Sequence, residues 1–265
     1  MSYSIFQQRE QPTFSTGGLK PFQCIGEGWA LIKSQYGLFL GMCFVVILLV
    51  SCIPFAGLIW GAWMAGIYVA LFSRMRGEPV SFNAISKGFE YFKPSFLVAL
   101  LSGLPFSLVG IGAKLLELHS ETIEKTYPGE TPVPPDVLMW QVGYLLGLIL
   151  LYALCFFVTG VIFAFAYQLV VDQKLSGWEA TKLSARAARE NFGGVFGLVV
   201  LDLVLGMLGL ALCCLGFVFV IPITKGAWAV AYSHVFPLAP QLNNRPAMPP
   251  PPPLFGAGPT GPVGY

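Results

Sequence analysis

The chain of 265 residues carries 15 Lys and Arg against 13 Asp and Glu, a formal net charge of +2, and 55% of its residues are hydrophobic. Only 11% of the residues are charged and the mean hydropathy is +0.71, whereas soluble domains contain about 25% charged residues. The composition excludes an ordinary soluble domain and predicts an all-α polytopic membrane protein.

The first segment, residues 1–21, is polar and contains Arg9, Glu10 and Lys20. It lacks the basic stretch, apolar core and small-residue cleavage site of a secretory signal peptide. We therefore predict a polar N-terminal tail and expect the first membrane-spanning helix to direct insertion.

Apolar stretches follow along the chain, and a spanning helix needs about 20 apolar residues. They predict six transmembrane helices, at residues 36–53, 56–73, 95–116, 137–171, 194–213 and 216–236. The fourth stretch would extend about 52 Å as one helix, which is long for one span and short for two. We interpret it as one span that protrudes from the membrane, and a break near Gly160 remains open.

The distribution of charge supports one span in this stretch. The arrangement places twelve of the fifteen basic residues on the same side as both termini, and an acidic loop with Glu117, Glu121 and Asp136 on the other side. Two spans would move the basic residues between Lys174 and Arg189 to the acidic side. Because basic loops stay in the cytoplasm, the sequence predicts cytoplasmic N- and C-termini.

The segments before the first and third spans share a sequence pattern. The matching residues are Phe22, Ile25, Gly28, Trp29, Ile32 and Lys33 in one segment and Phe82, Ile85, Gly88, Phe89, Phe92 and Lys93 in the other. Their apolar positions fall on one helix face, which predicts amphipathic interfacial helices. A third such segment begins at Gly177 and Trp178, where Ser176 and Glu179 have capping-box spacing.

These segments suggest three repeated units, each an interfacial helix followed by two spans. The tripeptide Gly-Ala-Trp at residues 61–63 recurs at residues 226–228 in the last unit. Chance similarity among apolar segments is the alternative. Basic side chains on the interfacial helices are expected to contact anionic lipid headgroups; they are Lys33, Lys93, Lys182, Arg186 and Arg189.

Two charged residues lie well inside predicted spans, Asp202 in the fifth and Lys225 in the sixth. A central charge costs about 2.5 to 3.5 kcal/mol on insertion scales. Both residues lie about 13 to 16 Å from the same turn, so we predict an intramembrane ion pair. We interpret it as a structural pair that fixes the hairpin; a proton or ion pathway and a lone, water-exposed Lys225 are the alternatives. The other polar residues near this depth are Thr159, Gln168 and Thr224.

Small residues line one face of two spans. They are Gly206, Gly209 and Cys213 in the fifth span and Gly57, Gly61 and Ala65 in the second. Such faces let helices approach closely. We expect the fifth span to pack against the sixth, and the second span to pack within this chain, with dimerisation as the alternative.

The sequence carries no catalytic signature. It has no nucleophile elbow, zinc-protease helix, Walker loop or dinucleotide fingerprint. The six cysteines have no CxxC spacing, and His119 and His234 lie far apart without an adjacent nucleophile. We therefore predict no catalytic residue, no metal, no cofactor and no enzyme activity. The cysteines are expected to act as apolar filler, with a disulfide between the two hairpins, from Cys52 to Cys213 or Cys214, as the alternative.

The C-terminal segment, residues 237–265, contains ten prolines. This composition predicts a disordered proline-rich tail, which either binds an aromatic-lined groove on a cytoplasmic partner or is simply solvated. The domain organisation is then a tail at residues 1–21, a six-helix transmembrane domain at residues 22–236, and this second tail.

Three segments carry a family resemblance. Residues 178–184 read WEATKLS, residues 191–198 read NFGGVFGL and residues 213–222 read CCLGFVFVIP. They resemble bacterial multi-pass membrane proteins of unknown function that are related to the membrane domain of some glycerophosphodiester phosphodiesterases. The resemblance implies a bacterial cytoplasmic-membrane protein of about six helices. No hydrolase residue carries over, because the soluble domain is absent from this sequence, and Lys225 lies outside the family pattern.

Taken together, these features predict a non-enzymatic integral membrane protein that acts as a scaffold or accessory subunit. Its expected partners are membrane lipids, a membrane protein or a second copy of the chain, and no nucleic acid. The alternative is a small transporter or channel that uses Asp202 and Lys225 at the interface between repeats.

Overall fold

The computed structural model describes residues 14–52, 59–126, 135–211 and 215–238, and this part of the chain is helical without strands. The α-helices are α1 Pro21–Ile32, α2 Tyr36–Cys52, α3 Trp60–Met75, α4 Ala84–Lys87, α5 Phe92–Thr126, α6 Pro135–Ile162, α7 Ala166–Asp172, α8 Gly177–Glu190, α9 Phe192–Ala211 and α10 Leu215–Val235. Short 3-10 turns at Lys33–Gln35 and Gly88–Tyr91 lead into α2 and α5. Gly57, Cys213, Cys214 and the proline-rich tail beyond Leu238 lie outside the described residues.

Five helical stretches are long and apolar enough to cross a membrane. They are Pro21–Cys52, Ala84–Ile123, Pro135–Asp172, Phe192–Ala211 and Gly216–Val235. The all-helical architecture is therefore confirmed, with five stretches that could cross a membrane, whereas the count of six spans is not confirmed. The predicted second span corresponds to α3, whose 16 described residues extend about 24 Å, less than a hydrocarbon core of about 30 Å.

Helix α3 lies at the centre of the bundle, with eleven of its 16 residues buried. Gly61 packs against the backbone of Ser95 in α5, and Gly66 packs against Ile85 in α4. Gly88 in turn packs against the backbone of Ala62 and Gly66. These contacts leave no room for a Cβ atom at Gly61, Gly66 or Gly88, so these three glycines pack within this chain.

Helix α1 runs antiparallel to α10. The backbone N–H of Ser15 donates to the carbonyl of Val235 (2.8 Å), and the Tyr36 hydroxyl donates to the carbonyl of Phe219 (2.6 Å). Between these points Gly28 packs against the backbone of Ala227. The first predicted interfacial segment is thus a helix whose glycine face lies on α10.

The predicted fourth span is broken after Ile162, close to Gly160. The Ser184 hydroxyl of α8 bridges the break, since it donates to the Ile162 carbonyl (2.8 Å) and accepts from the Phe165 N–H (3.0 Å). Polar backbone groups freed by a helix break need such partners at membrane depth. Helix α8 begins with the capping box expected at Ser176 and Glu179.

A set of polar contacts joins the helices at one end of the bundle, which we call the basic end. Arg76 at the end of α3 forms an ion pair with Asp172 of α7 (2.8 Å), and the Tyr232 hydroxyl of α10 donates to the same carboxylate (2.9 Å). Arg74 donates to Ser34 (2.6 Å) beside α1. The ends of α3, α7 and α10 therefore meet at this end.

Candidate intramembrane cavity

Helices α9 and α10 carry Asp202 and Lys225 near their midpoints. The two helices form a tight hairpin. A Cβ atom built at Gly209 would lie 2.8 Å from the Cα of Phe217, and one built at Gly206 would lie 3.7 Å from the Phe217 ring. The small-residue face of α9 thus packs against α10. Asp202 and Lys225 are both half-buried.

The direct ion pair predicted between Asp202 and Lys225 is absent from the structure. The described ion pairs do not include these two residues. The Asp202 carboxylate instead accepts a hydrogen bond from the indole N–H of Trp228 (3.3 Å). Equal depth in neighbouring helices places two side chains at the same height. It does not determine the direction in which each side chain points from its helix axis, so the two charges need not meet.

Asp202 and Lys225 instead line two adjoining cavities. The larger cavity, about 590 Å³, is here called the apolar chamber because most of its lining is aliphatic or aromatic. Its side chains come from α2, α3, α6, α9 and α10, and include Val46, Ile67, Met207, Leu210, Phe217 and Val220. A volume of this size is typical of small-molecule sites.

The smaller cavity, about 370 Å³, is here called the polar chamber. Its polar lining comprises Tyr68, Ser102, Thr159, Tyr167, Gln168, Asp202, Lys225 and Trp228. Thr159 and Gln168, which the sequence placed near the depth of the charges, thus lie around the same space as Asp202 and Lys225. Thr224, the third such residue, lines the apolar chamber.

The two chambers meet around the charged residues. Five residues line both of them: Trp60, Met64, Phe156, Asp202 and Lys225. Along α9 the polar chamber is lined by Val199 and Asp202, and the apolar chamber continues from Leu203 to Leu210. The polar chamber therefore lies toward the basic end, and the apolar chamber lies toward the turn between α9 and α10.

Gln168 stands out among the polar residues because it is only 1% exposed. Its Nε2 has no hydrogen-bond partner in the described part of the chain. The Thr159 hydroxyl, by contrast, donates to the carbonyl of Cys155 (2.6 Å). A buried amide donor without an acceptor costs about 1 to 3 kcal/mol, so Gln168 is suited to a ligand that supplies an acceptor.

The apolar chamber opens toward the outer face of the bundle. Four of its lining side chains are strongly exposed, namely Tyr152 (52%), Met207 (62%), Leu210 (58%) and Phe217 (43%). They lie on α6, α9 and α10, which are stretches apolar enough to cross a membrane. The opening between these side chains therefore lies on the outer surface of these three apolar helices.

The remaining predicted residues lie on the surface or in helix contacts. Ala65 is buried in α3 beside the packed Gly61. The five basic residues expected at lipid headgroups are all exposed: Lys33, Lys93, Lys182, Arg186 and Arg189. Exposure is compatible with contact to lipid headgroups but does not show it, so this contact stays a prediction.

The structure also brings together residues that the sequence treated as separate. The Nδ1 of His234 lies 3.9 Å from the Sγ of Cys24, and its Nε2 lies 3.0 Å from Glu27. The expectation that His234 has no nearby nucleophile is therefore wrong. Since Cys24 is fully buried, the thiol is closed to a substrate, and the cluster joins α1 to α10. A separation of 210 residues hides such a contact from any local motif.

No protein-family model, curated protein or solved structure matches this chain. The resemblance to membrane domains of glycerophosphodiester phosphodiesterases therefore stays an expectation.

Proposed function

We propose that this protein is a small transporter whose substrate occupies the cavity around Asp202 and Lys225. One observation carries the proposal: two opposite charges share a cavity near the middle of apolar helices without contacting each other. A purely structural pair gains most from direct contact, because an isolated charge at that depth is costly. A bound substrate that lies between the two groups gives each charge a partner.

The chain is proposed to lie in the bacterial cytoplasmic membrane with both termini in the cytoplasm. The contacts of Arg74 and Arg76 place the end of α3 at the basic end. The exposed Lys182 and Arg186 of α8 follow directly after α7, which ends there at Asp172. Basic segments concentrate on the cytoplasmic side of membrane proteins, which supports this orientation.

The contacts also support three repeated units arranged in a ring. The segment before the third span packs through Gly88 on α3, which is the second span of the first unit. The segment before the first span packs through Gly28 on α10, which is the second span of the last unit. Helix α8 contacts the α6–α7 break through Ser184. Each interfacial segment thus lies on the second span of another unit. Both glycine contacts fall on a Gly-Ala-Trp tripeptide, and Trp29 and Phe89 are exposed in both copies.

Cysteine accessibility tests the proposal without knowledge of the substrate. In a background with all six cysteines replaced, Ser102→Cys places a thiol in the polar chamber. We expect a membrane-impermeant thiol reagent to label it from both sides of oriented vesicles, at different rates, because a transporter opens its site to each side in turn.

Two matched controls bracket the result. Ser120→Cys lies on an exposed part of α5 and should react from one side only, whereas Ala229→Cys lies in the fully buried core of α10 and should not react. Thr159→Cys provides a second position in the chamber. If neither Ser102→Cys nor Thr159→Cys reacts from either side while Ser120→Cys does, the transporter proposal is wrong.

The scaffold or accessory subunit is the second candidate, and the surface of α5 and α6 favours it. Thr159 is the single buried residue described for α6, and Leu108 of α5 and Leu150 of α6 are 69% and 62% exposed. A helix pair that contributes so little to the bundle offers surface for another membrane protein.

Site-specific photo-crosslinking separates this candidate from plain lipid exposure. A crosslinker at Leu108 or Leu150 should capture the same protein in stoichiometric yield, and one at Phe44 of α2, which is 49% exposed, should not. Crosslinks to lipid alone at Leu108 and Leu150 contradict the scaffold.

A further inference from the structure

We propose that the ligand of the two chambers is a zwitterionic phospholipid that carries a primary ammonium and a phosphate, as in phosphatidylethanolamine. The inference rests on the proposed function, because it names the substrate class for the same cavity. The headgroup occupies the polar chamber and an acyl chain occupies the apolar chamber.

Charge complementarity selects the headgroup. Within the described part of the chain the Asp202 carboxylate accepts one hydrogen bond, from Trp228, and it is suited to an ammonium. Lys225 has neither a hydrogen bond nor an ion pair within the described residues, and the Gln168 amide offers a further donor. A phosphate accepts from both donors. One molecule with both groups neutralises Asp202 and Lys225 together, which neither an anion nor a cation achieves alone.

The adjoining apolar chamber selects an amphiphile over a water-soluble zwitterion. A free amino acid or similar solute fits the polar chamber, but it leaves about 590 Å³ of apolar space unfilled. An acyl chain buries apolar surface there, at about 0.8 kcal/mol per CH₂ group. Along α9, the residues that line the polar chamber lie nearer the basic end than those that line the apolar chamber. The headgroup of this lipid therefore points toward the basic end.

The lateral opening provides the route of entry. Tyr152, Met207 and Phe217 line the apolar chamber and are also exposed on the outer surface. A lipid enters between α6, α9 and α10 without passing through water. Its headgroup meets Asp202 and Lys225 where the two chambers join.

Native mass spectrometry tests the inference on the full chain. The protein is reconstituted in vesicles of equal parts phosphatidylethanolamine and phosphatidylglycerol, extracted in mild detergent, and its retained lipids are counted. We expect one phosphatidylethanolamine per protein, with a preference of about tenfold over phosphatidylglycerol. Equal retention of the two lipids overturns the inference.

Variants tie the retained lipid to the cavity. Lys225→Gln and Asp202→Asn should each lower phosphatidylethanolamine retention about tenfold, and Gln168→Leu should lower it about threefold. Lys114→Gln removes an exposed Lys at the far end of α5 and should leave retention unchanged. Retention that survives all three cavity substitutions places the lipid elsewhere and overturns the inference. Gln168→Leu removes no charge, so it keeps the test valid where a charge substitution prevents folding.

The two proposals fail separately. Labelling of Ser102→Cys from both sides without retained phosphatidylethanolamine contradicts the lipid inference and leaves the transporter standing. Retained phosphatidylethanolamine without labelling from either side contradicts the transporter and leaves a lipid-binding membrane protein.

Discussion

Gly28 and Gly26 lie on the same helix but have different surroundings. A Cβ atom at Gly28 would collide with the backbone of Ala227, whereas nothing lies within 4 Å of one at Gly26. We expect Gly28→Ala to lower the free energy of unfolding by about 1 to 3 kcal/mol, the usual effect of overpacking. Titration with a denaturing detergent measures this change.

Gly26→Ala is the matched control for this prediction. It replaces glycine by a better helix former at an exposed position and should leave stability unchanged or raise it by up to about 1 kcal/mol. Similar destabilisation by both variants would mean that helix propensity, rather than the contact of α1 with α10, decides the outcome.

Arg76 is the second residue whose removal should be costly. Its partner Asp172 has a fully buried side chain, and a buried carboxylate that loses its ion-pair partner costs about 3 to 5 kcal/mol. We expect Arg76→Gln to destabilise the protein by that amount. Arg186→Gln breaks an exposed pair with Glu190 and should change stability by less than about 1 kcal/mol. Comparable losses would contradict the importance of burial here.

At the scale of elements, the α6–α7 break depends on α8. Ser184→Ala removes both the acceptor for Phe165 and the donor to Ile162. We expect a loss of about 1 to 3 kcal/mol for each buried backbone group left without a partner, together with faster hydrogen exchange at Phe165.

Ser107→Ala is the control, since among the described residues the Ser107 hydroxyl bonds only to Gly103, one turn earlier in its own helix. It should be nearly neutral. An equal effect of the two substitutions would show that the break holds without the α8 hydroxyl.

Hydropathy predicts the helices of this chain well, because long apolar runs and the capping box at Ser176 are local signals. It does not predict which helices meet. The contacts of Gly28 with Ala227 and of Gly88 with Ala62 join segments that carry no mark of their partner. The depth of Asp202 and Lys225 was also predictable, but their separation depends on helix rotation, which apolar sequence leaves undetermined.

For the whole molecule, orientation is the feature most directly testable. In the cysteine-free background, Ser176→Cys at the start of α8 and Ser120→Cys on α5 are both exposed. We expect an impermeant thiol reagent applied outside intact bacteria to label Ser120→Cys and not Ser176→Cys, since the proposed orientation places the basic loops in the cytoplasm. Labelling of Ser176→Cys alone would reverse the orientation.

The pairing of α1 with α10 also sets an order of events during synthesis. Gly28 leaves the ribosome almost two hundred residues before Ala227, the residue on which it packs. At about 5 to 20 residues per second, α1 waits about 10 to 40 s for its partner. During that interval the glycine face of α1 has no α10 to pack on, and this contact forms only when α10 has been inserted. A chain arrested before α10 therefore leaves α1 without the helix on which Gly28 packs.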